Sequence, residues 1–189
     1  QLQADELDVD ELALAIWYAK WIGKLAQVPF FLPYLQNTLY KLNINLDRFQ
    51  GDPELLKQTC FACHYCTKEN EEQIAIFIAC EIIHTLKTYC CVTSDTVAMG
   101  YVSKALHNVG ASEDNKVSLS TNGAIYILAN GLRIAGNDYE NVSKNVLKAI
   151  NTLCTSKVSC PINTEVIYLL KKENGLLKQP DRLRCHNNF

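Results

Sequence analysis

The chain of 189 residues lacks several signals that would place it in a functional class. It has no apolar run near the roughly 18 residues that span a bilayer, so no transmembrane segment is expected. The longest run, Ile74 to Cys80, reads as a buried helix segment. Neither charge dominates: 18 basic against 20 acidic residues leave a net charge of −2. A total so close to zero gives no footprint for nucleic acid or an anionic membrane. No glycine-rich phosphate loop is present, which argues against nucleotide chemistry. No stretch alternates with a period of two, which excludes strands of useful length. Only one methionine, Met99, is available as a thioether ligand.

Helical periodicity dominates instead. Asp8 or Asp10 caps a first helix through Leu12, Ile16, Trp17, Trp21 and Leu25, which Pro29 interrupts. Pro33 suits the first turn of a second helix with Leu35, Leu39 and Leu42. Gly51-Asp52-Pro53-Glu54 places cap, proline and acid in order for a third, running to about Cys66. Asn70 caps a long fourth helix, with Glu71 and Glu72 in its first turn, that continues to about Cys90. The pattern then repeats: a helix from Ser94-Asp95 to Gly110, a polar loop from Ala111 to about Ser118, and a helix from Leu119 to near Gly136. Helices capped by Asp138 and Asn163 follow, and the tail from Leu176 to Phe189 reads as irregular. The expected fold class is all-α, with two tandem, related four-helix modules stapled by disulfides, over residues 1–92 and 93–189.

Nine cysteines are many for a reducing compartment and common in an oxidising one. Cys60, Cys66 and Cys91 are spaced C-x5-C-x24-C, and Cys154, Cys160 and Cys185 repeat that spacing, as an internal duplication would. The candidate staples are Cys66 with Cys90 or Cys91, Cys63 with Cys80, and Cys160 with Cys185. Closing a loop of about 25 residues stabilises by roughly 3 kcal/mol. The odd count leaves a free thiol or a disulfide-linked dimer, so monomer and dimer both stay open. The start at Gln1 and the Asn141-Val142-Ser143 glycosylation acceptor fit a mature chain that has lost a signal peptide. Secretion is the expectation.

Cys60-Phe61-Ala62-Cys63-His64 fits the c-type haem attachment pattern, with Met99 as a second axial ligand. Cys60, Cys63, His64 and Cys66, with His84 or Cys80, would alternatively serve zinc. Structural cysteines are the simpler reading, and no cofactor or metal is expected. His64, His84, His107 and His186 have no nucleophile motif beside them, and His84 reads as a core histidine. Asp8, Asp10 and Glu11 read as helix-start electrostatics. No catalytic residue emerges, and the chain reads as non-enzymatic. The aromatic set Trp17, Tyr18, Trp21, Phe30, Phe31 and Tyr34 suits either core packing or an exposed patch that anchors a partner protein or a lipid.

Paired half-modules, each with two cysteines bracketing a tyrosine, resemble the bicycle family of secreted aphid salivary-gland effectors. Cys160, Tyr168 and Cys185 carry one motif; Cys66 and Cys90 carry the other, with Tyr89 as the tyrosine. The resemblance implies an effector delivered in saliva into a plant, where it binds an unidentified host protein in a host–parasite interaction. Cys60-x2-Cys63, Cys80-x10-Cys91 and Cys154-x5-Cys160 also echo the cysteine pairs of saposin-like domains, which implies a lipid or small-apolar-ligand binder.

Overall fold

The computed structural model describes residues 2–135 and 140–155, with side chains from Val9 onward. The described residues are all-helical, with nine α-helices, one 3₁₀ helix and no strand among them. In chain order they are α1 (Leu2–Leu25), the 3₁₀ helix (Pro29–Leu35), α2 (Thr38–Arg48), α3 (Pro53–Thr67) and α4 (Glu71–Ala79). Then follow α5 (Ile82–Cys90), α6 (Thr96–Val109), α7 (Glu113–Thr121), α8 (Ala124–Ala135) and α9 (Glu140–Cys154). The expected helices capped by Asp138 and Asn163 begin outside the described residues, as does the tail.

The caps follow from the sequence. Asp52 accepts from the Glu54 and Leu55 amides, Asn70 from Gln73, and Asp95 from Val97 and Ala98, satisfying donors that a helix start leaves open. Several elements differ from expectation. Helix α1 begins at Leu2, so Asp8 and Asp10 lie within it and not at its start. Pro33 falls inside the 3₁₀ helix with Leu35, and α2 begins only at Thr38. The helix expected from Leu119 to near Gly136 is divided into α7 and α8 at Gly123, which turns the chain at φ 88°. The long fourth helix is broken: Cys80 ends α4, Glu81 is left-handed at φ 54°, and α5 starts at Ile82. The Cys80 carbonyl freed there accepts from Asn43 Nδ2 at 2.9 Å. The polar stretch after Gly110 is not a loop, because Glu113 and Asp114 sit in the first turn of α7, where acids complement the dipole.

The helices pack as a row, α3 between α1 and α6, and α6 between α3 and α9; α8 covers α6 and α9, and α2 and α5 meet beside it. One core runs from Ala15 to Leu153 and includes Leu39, Leu42, Leu46, Leu56, Phe77, Met99, Leu106 and Leu128. Met99, a candidate haem ligand from sequence, is a fully buried core residue. Small residues bring α1 onto α3: a Cβ on Gly23 would lie 2.2 Å from Phe61 Cδ1.

Candidate functional site

Helix α1 is apolar on two opposite faces. Ala15, Ala19, Ile22 and Ala26 are buried toward the core, while Leu14, Trp17 and Trp21 face outward at three- and four-residue spacing. That spacing makes one stripe on a helix. A helix apolar all round normally has both faces covered; here Trp17 is 57% exposed and Trp21 42%. Their ring centroids lie 5.7 Å apart.

A second exposed aromatic set follows the end of α1. Val28 is extended before Pro29, as the residue preceding proline must be, and is itself exposed. Pro29 and Pro33 hold the short 3₁₀ helix. Leu35 anchors it in the core, while Phe30 at 69%, Phe31 at 37% and Tyr34 at 74% stay open to solvent. Phe30 stacks edge-on with Phe31 at 5.3 Å and lies 6.1 Å from Tyr34. Of the aromatic set noted in the sequence, only Tyr18 packs substantially inward; its remaining face carries Lys41 Nζ at 4.9 Å. The structure therefore decides between core and patch in favour of the patch.

The cysteines form the opposite kind of feature. Cys60, Cys63, Cys66, Cys80 and Cys90 are buried, Cys91 is half-buried, and these six are thiols with no two at disulfide distance. The expected bridges from Cys66 to Cys90 or Cys91, and from Cys63 to Cys80, are not present. The packing gives the reason: Cys60, not Cys66, shares a thiol hydrogen bond with Cys90, while Cys66 faces Thr38 on α2. The hydrogen bond to Cys90, followed by burial, raises the Cys60 pKa; burial and then the neighbouring Cys66 raise that of Cys63. Burial pushes the Cys66 thiol up to about 12. Thiols held protonated in this way are poor nucleophiles and poor metal ligands. Cys154 is half-buried at the end of α9, and Cys160 and Cys185 lie outside the described residues.

His64 does not join the thiols. Its ring stacks on Tyr101 of α6 with centroids 6.2 Å apart and contacts Tyr65 at 4.6 Å. Asn108 Nδ2 lies 3.5 Å from His64 Nδ1 and donates to the His64 carbonyl. Burial, then Lys104 and Lys68, lower its pKa to about 4, so the ring is neutral at pH 7. His107, 2.6 Å from the Thr152 hydroxyl, is lowered by burial and then by Lys148. His84, read from sequence as a core residue, is exposed and lines an open depression with Asp47, Lys87, Thr88 and Cys91. The zinc and haem constellation is not assembled: among the described residues no group of three or more His, Cys, Asp or Glu side chains could hold a metal. His186 lies outside those residues, and Asn141 is exposed on the first turn of α9.

Charge supplies a signal that the net total hides. Residues 12–46, which contain the whole aromatic face, hold no aspartate or glutamate and three lysines, Lys20, Lys24 and Lys41. All three lysines are exposed, and Lys24 Nζ lies 5.1 Å from the Trp21 ring.

Fold and site together define an all-helical protein with a lysine-fringed aromatic face and a buried set of thiols. No family model, curated protein or solved structure matches the chain. Among the described residues no helix is long and apolar enough to cross a membrane.

Proposed function

We propose that the chain is a non-enzymatic interaction protein that works through the aromatic face of α1 and the 3₁₀ helix. The observation that carries this reading is the joint exposure of Trp17, Trp21, Phe30, Phe31 and Tyr34. Large aromatics left together in water are expensive unless a partner covers them, and such rings dominate binding energy at interfaces. The groups that would run chemistry point the same way. The thiols are raised by burial or by hydrogen bonding in the core, and His64 is kept neutral over an aromatic ring.

Secretion, and delivery in saliva to bind a host component as the bicycle-family resemblance implies, form part of the proposal. The exposed Asn141 acceptor supports secretion; the six thiols do not, and disulfide staples are not carried into it. Two related modules, split near residue 92, also belong to the proposal. Their support is that α6 packs on α9 as α1 packs on α3, with α8 placed on the second pair as α2 is on the first.

The test is a Phe30→Ser/Tyr34→Ser double variant, compared with the native chain for capture of partners from plant extract. A partner lost by the variant at unchanged melting temperature supports the reading. A partner retained in full overturns it.

A further inference from the structure

We infer that the surface this face meets is an anionic lipid bilayer, with the exposed rings at headgroup depth and Lys20, Lys24 and Lys41 on lipid phosphates. The inference rests on the reading of the face as the contact surface, and on its charge rather than on cysteine spacing.

Four observations select a bilayer over other occupants. The 12–46 segment carries +3 in a chain whose total is −2, with Glu54 near Lys20 and Glu72 accepting from Gln36. An anionic partner is therefore attracted to the lysines of this segment. The cations of the segment are all lysines. Protein interfaces are depleted in lysine and enriched in arginine, whereas lysine stems lie along apolar surface and reach lipid headgroups. Lys24 beside Trp21 and Lys41 beside Tyr18 place an ammonium and an amphipathic ring side by side, as at a membrane interface, where tryptophan and tyrosine concentrate. The shape also suits a deformable surface: a helix stripe and a proline-held 3₁₀ helix present partly exposed rings, with Phe30 and Tyr34 the most exposed.

Like charge disfavours the other occupants. A second copy docked face to face would set the same three lysines against themselves. The chain's own segment 156–189 has six basic and three acidic residues, so it carries the same sign as the face.

The full chain is sedimented with vesicles of phosphatidylcholine alone and of phosphatidylcholine mixed with phosphatidylserine, at low and high salt. The only tryptophans are Trp17 and Trp21, so their emission reports on the face itself. Co-sedimentation with phosphatidylserine vesicles, a blue shift of emission and loss of binding in high salt are expected. Lys20→Gln, Lys24→Gln and Lys41→Gln each weaken partition about fivefold. Phe30→Ser/Tyr34→Ser weakens it further at unchanged melting temperature. No sedimentation and no blue shift with either vesicle overturns the inference, as does salt-independent binding to both or full binding by the aromatic variant. If vesicles fail while the aromatic variant loses a protein partner or dissociates a dimer, only the lipid assignment falls. If both tryptophans are shielded from acrylamide in the free monomer, the contact-face reading falls with it.

Discussion

Trp17 and Trp21 stand one helical turn apart on the outer face of α1, ring centroids 5.7 Å from each other, while Ala15, Ala19 and Ile22 of the same helix are buried. Both tryptophans of α1 are outside, while two alanines share its inner face with Ile22. That inverts the usual arrangement, in which aromatics supply core volume. Small inward residues let α1 approach α3, with Gly23 against the Phe61 ring, and the rings are left for something else to cover.

The thiol arrangement predicts a reactivity pattern. At neutral pH a thiol reagent leaves Cys60, Cys63, Cys66, Cys80 and Cys90 of the native chain unmodified and reaches the half-buried Cys91 slowly; unfolding releases all of them. Peptide mapping with intact mass checks this, since each bridge lowers the mass by about 2 Da. Bridged peptides containing Cys63 or Cys66 would contradict the packing described above.

Acidification should weaken the fold through His64. Its folded pKa is near 4 and its unfolded value near 6.5, because burial and then Lys104 and Lys68 oppose the charge. Between those values the unfolded chain binds a proton that the folded chain refuses, so stability falls as pH falls through the window and is unaffected above it. Lowering of His107 by burial and Lys148 adds with the same sign. Allowing for solvent screening of a half-exposed ring, His64 contributes about 1 kcal/mol. Urea midpoints at pH 7 and pH 4.5 should drop less for His64→Gln than for the native chain.

Gly51 sits at φ +68° in the turn before α3, and a Cβ there would lie 2.2 Å from Tyr89 Cδ1. Gly51→Ala should cost about 1–3 kcal/mol from backbone strain and overlap together. Adding Tyr89→Ala should relieve the overlap but not the strain, so a denaturation midpoint recovers only in part.

Asn130, buried on α8, donates to the Cys90 carbonyl at 2.7 Å and the Thr93 carbonyl at 3.1 Å, and its own oxygen accepts from Arg133. It ties α8 to the segment between α5 and α6. Asn130→Ala leaves these carbonyls without that donor and should cost about 1–3 kcal/mol in chemical denaturation.

Three helix starts were legible because their signals are local: Asp52, Asn70 and Asp95 cap the helices the sequence assigns them, whereas Asp8 and Asp10 lie inside α1 and Pro33 lies inside the 3₁₀ helix. The break at Glu81 was not, since neither glycine nor proline marks it, and its compensation comes from Asn43, 37 residues earlier. Which cysteines lie side by side was not legible for a related reason. Spacing counts residues along the chain, whereas the placement of α5 against α3 sets Cys90 beside Cys60. His84 read as core because its neighbours Ile82, Ile83 and Leu86 are apolar, yet those three fill the inward face of α5 and leave His84 outside. The aromatic residues were visible in the sequence, but which way they faced depended on α1 burying its alanines. The positive character of residues 12–46 was readable from the start and was hidden by summing charge over the whole chain.

The most direct measurement is the fluorescence of the native monomer, because Trp17 and Trp21 are the only tryptophans and both lie in the face. Open rings predict emission close to that of the unfolded chain and acrylamide quenching nearly as efficient. Blue-shifted emission shielded from acrylamide in a confirmed monomer would show the face already covered and would contradict the account.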